Sequence, residues 1–316
     1  MTGQQDGRAR GGQDQARPRG GGSRPGQAVG RAARVVARTA IDALPARVRQ
    51  PVRRALGLVA PWEPGARLRP PRCPPGWVVA PPDFVGVGAQ KAGTTWWYEL
   101  LTRHPGIYDN PAAHKERHFF MRFFDAGFGP ADVAEYHRWF PRPPGQLTGE
   151  WTPDYMLHFW IPRLLQQAAP DAKVLVLLRD PVERIVSGMT HVAVRQAVPD
   201  ARAATEAYMR GLYGAQLDLL TRHVDPGRVL VQQFERCRCD PVVELGRTFA
   251  FLGLEPMDPD LVDPTPVNLT RATKVALPDG MREDLAALYR PDVERLLSAY
   301  PQVDASLWPN FRFLAD

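Results

Sequence analysis

No stretch of 18 consecutive apolar residues occurs in the 316-residue sequence, so nothing in it reads as a membrane-spanning helix. The N-terminus also lacks the apolar core of a secretory signal. Cysteine is scarce. Cys73, Cys237 and Cys239 are an odd number at spacings that fit neither a disulfide framework nor a metal site. Cys237-Arg238-Cys239 therefore reads as a pair of reduced thiols, and the expected compartment is the cytoplasm. Residues 1–60 have no lysine and only three acids, Asp6, Asp14 and Asp42, against twelve arginines, a net of +9. The whole chain carries +6, so the remainder carries −3. The folded part thus has no basic excess, which argues against nucleic-acid binding.

What is present begins with a tail. Met1–Gly30 is Gly, Gln, Arg and Pro with almost no large apolar residue, a composition expected to stay disordered. Arg31–Leu58 alternates arginine with Ala, Val, Leu and Ile. It suits a loosely helical linker or a weak contact with an anionic membrane surface, and Pro45 and Pro51 limit any helix. Pro61–Pro82 is a proline-rich lead-in. The sequence thus divides into a basic tail and lead-in over 1–75 and a folded domain over 76–316.

Within the domain, strand and helix patterns alternate. Phe84–Val87 reads as a buried strand, and Trp96, Trp97, Leu100 and Leu101 fall at helical spacing. Lys173–Leu178, KVLVLL, is the most apolar run and fits a central parallel strand. Helices are expected at Ile161–Ala169, from Pro181 to about Val194, and at Tyr213–His223, Val242–Leu252 and Gly280–Tyr300. The last should turn Leu285, Leu288, Val293 and Leu296 inward. Short strands are expected at Leu147–Glu150 and Arg228–Gln233. The alternation predicts an α/β, three-layer domain with a central, mostly parallel sheet.

Between the first strand and its helix lies Gly88-Ala89-Gln90-Lys91-Ala92-Gly93-Thr94-Thr95. A glycine loop leading into a helix N-terminus binds anions through its N–H groups and the helix dipole. The glycine spacing is that of a phosphate loop, but the Gly-Lys-[Ser/Thr] ending is absent. The lysine sits inside the loop, beside the first phosphate rather than along a triphosphate. An ordinary strand–turn–helix corner with a surface lysine would show the same glycines. A second motif, Arg179-Asp180-Pro181-Val182-Glu183-Arg184-Ile185-Val186-Ser187, follows KVLVLL. Ligands collect beyond the carboxyl ends of parallel strands, where Arg179 can fork a phosphate. Ser187 lies about two turns into the next helix. Asp180 fits a helix cap, and Arg184 is expected to pair with an acid.

QKAGTT after one strand and RDPVERIVS after a later one resemble the sulfotransferases that use 3′-phosphoadenylyl sulfate (PAPS), in particular bacterial relatives of the heparan sulfate N- and 3-O-sulfotransferases. The resemblance spans about Asp83 to Phe311. It implies a P-loop-like site in which Lys91, Ala92, Gly93, Thr94 and Thr95 hold the 5′-phosphosulfate, while Arg179 and Ser187 hold the 3′-phosphate. It also implies no metal. Lys115-Glu116-Arg117-His118-Phe119-Phe120 resembles the family's acid-x-His-Phe-Phe stretch, which makes Glu116 the base. His118 is the alternative, and on a strand the two side chains would share a face. The acceptor implied is a small molecule or glycan. One position departs from the pattern: Trp151 stands where the family carries a lysine after Glu150, so it either packs or stacks on the acceptor. In the family a basic loop touches the nucleotide, which points loosely to Arg271 or Lys274.

Two other readings fit parts of the sequence. A P-loop kinase would use Asp180 on magnesium, but the loop ending is wrong and an arginine precedes that aspartate. A non-catalytic nucleotide- or membrane-binding protein would rely on the arginine-rich tail.

Overall fold

The computed structural model describes residues 52, 69–110, 115–195, 201–258 and 274–315. Contacts divide the chain into Met1–Val59 and Ala60–Asp316, and the second unit holds the sheet and its helices. Apart from residue 52, residues 1–68 of the expected tail and lead-in lie outside the described residues, as does Arg271.

Four parallel strands form the central sheet: β2 (Phe84–Gly88), β4 (Gly149–Trp151), β5 (Lys173–Leu178) and β6 (Val229–Gln233), in the order β4-β2-β5-β6. All of β2 and all but the first residue of β5 are buried. These strands are covered on both faces, which is why their sequences are continuous apolar runs rather than alternating ones. A two-residue antiparallel pair, β1 (Val78–Val79) with β3 (Pro141–Arg142), stands apart from this sheet. The observed architecture is the expected α/β domain with a mostly parallel sheet.

Helices follow the strands in turn. β2 leads to α1 (Thr94–Leu101), which buries Trp96, Trp97, Leu100 and Leu101. After the short α2 (Pro130–His137) and β4 comes α3 (Ile161–Ala168). β5 leads to α4 (Pro181–Arg195), then α5 (Ala201–Met209) and α6 (Tyr213–Thr221). β6 runs into α7 (Phe234–Cys239) and α8 (Pro241–Leu252), and α9 (Met281–Ala299) closes the domain. Proline stands at the first position of α2, α4 and α8, where no N–H partner is lost. β2 lies between β4 and β5, so the chain passes from one side of it to the other. Such a reversal opens a crevice at the carboxyl ends of the strands.

Two expectations need correction. The inner face of α9 is Ala286, Tyr289, Asp292, Val293 and Leu296, while Leu288 is 59% exposed and Leu285 only partly covered. Polar contacts set this rotation. Asp292 accepts the N–H groups of Gly214 (2.8 Å) and Ala215 (2.9 Å), capping α6, and Tyr289 donates to the Tyr208 carbonyl at 2.7 Å. A reading of apolar spacing alone misses both. Arg184, expected to meet an acid, is fully buried and donates to the Ala207 carbonyl instead. That carbonyl lies in the last turn of α5, where the helix dipole favours a cation.

Gly86 makes a testable point about packing. A methyl group there would lie 2.0 Å from the ring of Trp151, itself fully buried on the neighbouring strand. Overpacking of a core costs about 1–3 kcal/mol. Gly86→Ala is expected to lower the melting temperature, read by calorimetry, by several degrees.

Candidate active site

The carboxyl ends of the four parallel strands carry the residues singled out by sequence. At the end of β2 the loop turns sharply. Ala89 N–H donates to the Leu177 carbonyl at 2.8 Å and Ala92 N–H to the Ala89 carbonyl at 3.2 Å. Gly93, the residue before α1, has φ 87°, and a side chain there would meet the Phe234 ring at 2.5 Å. Only glycine fits both conditions. Ala92 and Thr94 are buried, while Lys91 and Thr95 stay partly accessible.

At the end of β5, Arg179 turns toward this loop. Its Nη1 donates to the Lys91 carbonyl at 3.3 Å, its Nη2 lies 3.8 Å from Glu183 Oε2, and its guanidinium carbon is 5.2 Å from the centre of the Phe234 ring. The glycine loop and the segment that follows β5, joined here by a contact between residues 88 apart in sequence, thus form one surface. Asp180 caps α4 as expected, accepting from Val182 N–H at 2.9 Å and Glu183 N–H at 3.2 Å. Its other oxygen accepts from Asn310, from the backbone at 3.0 Å and the side chain at 2.8 Å. Ser187 is half-buried on α4, one turn beyond Glu183 and on the same side.

The Lys115–Phe120 segment lies beyond β4. It is not a strand. Glu116 (φ 68°) and His118 (φ 52°) both adopt the left-handed conformation, and among the described residues the only other non-glycine with positive φ is Lys91 (φ 68°). Non-glycine residues rarely sit there, and such strain collects at functional sites. The three residues proposed for chemistry are therefore the three whose backbones are strained.

A buried network pays for that geometry. Glu150, fully buried, accepts hydrogen bonds from Thr152 Oγ1 (2.6 Å), Tyr136 OH (2.8 Å) and Tyr155 OH (3.2 Å). Burial pushes its carboxyl above the usual range, against the pull of the Thr152 and Tyr136 hydroxyls and Arg117. The Thr152 hydroxyl accepts from His118 N–H (3.3 Å) and the Tyr155 hydroxyl from Phe119 N–H (2.8 Å). Trp151 ties the segment to the donor loop. Its carbonyl accepts from Glu116 N–H (2.9 Å), and its indole donates to the Gly88 carbonyl (3.2 Å). Trp151 is fully buried, so it packs and is not a stacking platform for an acceptor.

Glu116 itself is half-exposed. Lys115 Nζ is 2.8 Å from its Oε1 and His118 Nε2 is 3.9 Å from its Oε2. Together His118 and Lys115 hold the carboxyl down to about 2, against the opposing effect of burial. His118, almost fully buried, has a second acid on its other side. Its Nδ1 lies 4.0 Å from Asp154 Oδ2, and Asp154 pairs with Arg210. Sequence reasoning missed Glu150 as an anchor and the Asp154–Arg210 pair. The Glu150-x-Thr152-x-x-Tyr155 spacing carries the only local signal, and Arg210 carries none. The sequence holds four lysines, and Lys91, Lys115 and Lys274 all stand at this edge, the last with its Nζ 3.5 Å from Glu183.

Comparison with known proteins agrees with this geometry. Residues 81–265 match the sulfotransferase domain family, and the chain belongs to it. It is 33% identical over 234 residues to mouse heparan sulfate glucosamine 3-O-sulfotransferase 6, covering 67% of this chain and 66% of that protein. It is 32% identical over 189 residues to human heparan sulfate glucosamine 3-O-sulfotransferase 3B1, covering 55% and 46%. The chain thus spans between about half and two thirds of the length of these relatives. Among solved structures, a sulfotransferase from Alicyclobacillus acidocaldarius superposes with a TM-score of 0.59 at 26% identity, covering 72% of this chain and 99% of that one.

Proposed function

We propose that this sulfotransferase moves a sulfuryl group from PAPS to a hydroxyl, or an amine, of a carbohydrate acceptor. The observation that carries the reading is the shared edge of Lys91, Arg179, Glu116 and His118, with the backbone strained at three of the four. The loop Lys91–Thr95 suits the 5′-phosphosulfate, and Arg179 with Ser187 suits the 3′-phosphate. The relatives named above act on heparan sulfate glucosamine, which supports a sugar acceptor.

Each residue then has a task. The acceptor oxygen shares a lone pair with sulfur while the sulfur–oxygen bond to the 5′-phosphate breaks, and that bond's electrons leave with the phosphate oxygen. Glu116, ionised at neutral pH, takes the acceptor proton. Lys91 and the loop N–H groups meet the charge that grows on the departing oxygen. Asp154 and Glu116 lie on either side of His118, about equally far from its two ring nitrogens. Among the described residues no group of three or more His, Cys, Asp or Glu is placed to hold a metal, and the reading needs none.

Release of PAP, the sulfate-free product, from PAPS in the presence of heparan-type, neutral-glycan and phenol acceptors tests this. Transfer that needs PAPS and continues in a chelator supports it. Transfer from ATP with magnesium, and none from PAPS, would overturn it in favour of a kinase. A cytoplasmic location belongs to the same proposal, supported by free thiols at Cys73, Cys237 and Cys239. Fractionation of expressing cells checks it.

A further inference from the structure

Glu183, in the first turn of α4, is ringed by three cations from separate parts of the chain. Arg282 Nη1 donates to its Oε1 at 2.6 Å, while Lys274 Nζ and Arg179 Nη2 lie 3.5 and 3.8 Å from Oε2. Among the described residues none of the three cations pairs with a second carboxylate. Burial works against ionisation of Glu183, yet Arg282, Lys274 and Arg179 hold its carboxyl below the usual range. Three positive charges against one leave an excess of two. A phosphate monoester carries about −1.5 to −2 at neutral pH, so the patch is matched to a terminal phosphate and not to a diester.

Arg282 is the unexpected member. It sits in the first turn of α9, where the helix dipole disfavours a cation. Helix stability therefore does not explain it. Of the three cations it makes the shortest contact with Glu183, 2.6 Å on Oε1, and Arg179 the longest, 3.8 Å on Oε2.

We propose that Arg282 is a specificity-determining residue for the donor's 3′-phosphate, with Glu183 as the internal counter-ion that holds Arg282 and Lys274 beside Arg179 until the phosphate arrives. This rests on the PAPS reading above. By drawing Glu183 to itself, Arg282 keeps the Arg179 fork open for the phosphate. Without Arg282 the carboxylate turns to Arg179 and competes with the ligand.

Calorimetric binding of PAP and of adenosine 5′-phosphate to the full chain tests the proposal. Arg282→Ala is expected to weaken PAP about tenfold or more, the effect of one charge-assisted hydrogen bond, and to leave adenosine 5′-phosphate unchanged. Arg282→Lys should recover part of the loss. The double variant with Glu183→Gln should bind PAP more tightly than Arg282→Ala alone, which a purely structural role would not produce. Unchanged PAP affinity in Arg282→Ala, an equal loss for both nucleotides, or no gain in the double variant would each overturn it. A wild-type protein that does not prefer PAP to adenosine 5′-phosphate sinks the donor reading instead.

Discussion

Arg179→Ala is expected to lose about 2–5 kcal/mol of PAP affinity, as for one partner of a buried charge pair, whereas Lys91→Ala should still bind PAP but turn over far more slowly. The two side chains belong to one surface but meet different charges. Arg179 is mostly buried, and its guanidinium is already placed by the Lys91 carbonyl and the Phe234 ring. Little side-chain freedom remains to be lost on binding, so its contribution should show in the ground-state complex. Lys91 is partly accessible at the strained bend of the loop. Charge grows beside it only as the sulfur–oxygen bond breaks, and an interaction made only then lowers kcat and kcat/KM alike. Titration calorimetry with PAP and initial rates with PAPS separate the two. Wild-type PAP affinity in Arg179→Ala would show that the 3′-phosphate lies elsewhere.

The parts of the fold that were legible in sequence are those whose cause is local. Lys173–Leu178 is all apolar but for its first residue and is bounded by turns, and the strand has those limits. The glycine loop was legible because Gly93 needs a left-handed backbone beside the Phe234 ring. What stayed hidden depends on distant partners. The bends at Glu116 and His118 involve the Trp151 carbonyl and the Thr152 hydroxyl, 34 and more residues away, so nothing local in the sequence marks them. Leu288 and Arg184 were misplaced because a capping aspartate and a helix carbonyl decided their surroundings. Trp151 stood as a departure from a family pattern. In the structure its buried indole holds the Gly88 carbonyl, while the bond to Glu116 N–H comes from its backbone carbonyl, which any residue at this position would supply.

Glu116→Gln is expected to lower turnover by about 10²–10⁴-fold, the usual contribution of a general base, with PAP affinity near wild type. The amide keeps the side chain's shape and most of its contact with Lys115, so the loss isolates proton transfer. The pH profile carries a second signature. The Glu116 carboxyl lies at about 2 in the free protein, below its ordinary value. It is therefore ionised throughout the range above that, and kcat/KM should be level with pH on the acidic side, falling only as pH drops toward 2. If the histidine is the base, the acidic limb of the profile should persist in Glu116→Gln and disappear in His118→Asn. The same shift gives the sign for stability. A carboxyl depressed by folding contributes stability above its unfolded value that fades as pH falls through its folded one. Because the group is half-exposed, that contribution is small. His118→Asn should cost less than Glu116→Gln, since on the proposed reading the ring neighbours the base and does not take the proton. If Glu116→Gln turns over normally while His118→Asn is dead, the base is the histidine, and Asp154 on its far side becomes the group that orients it.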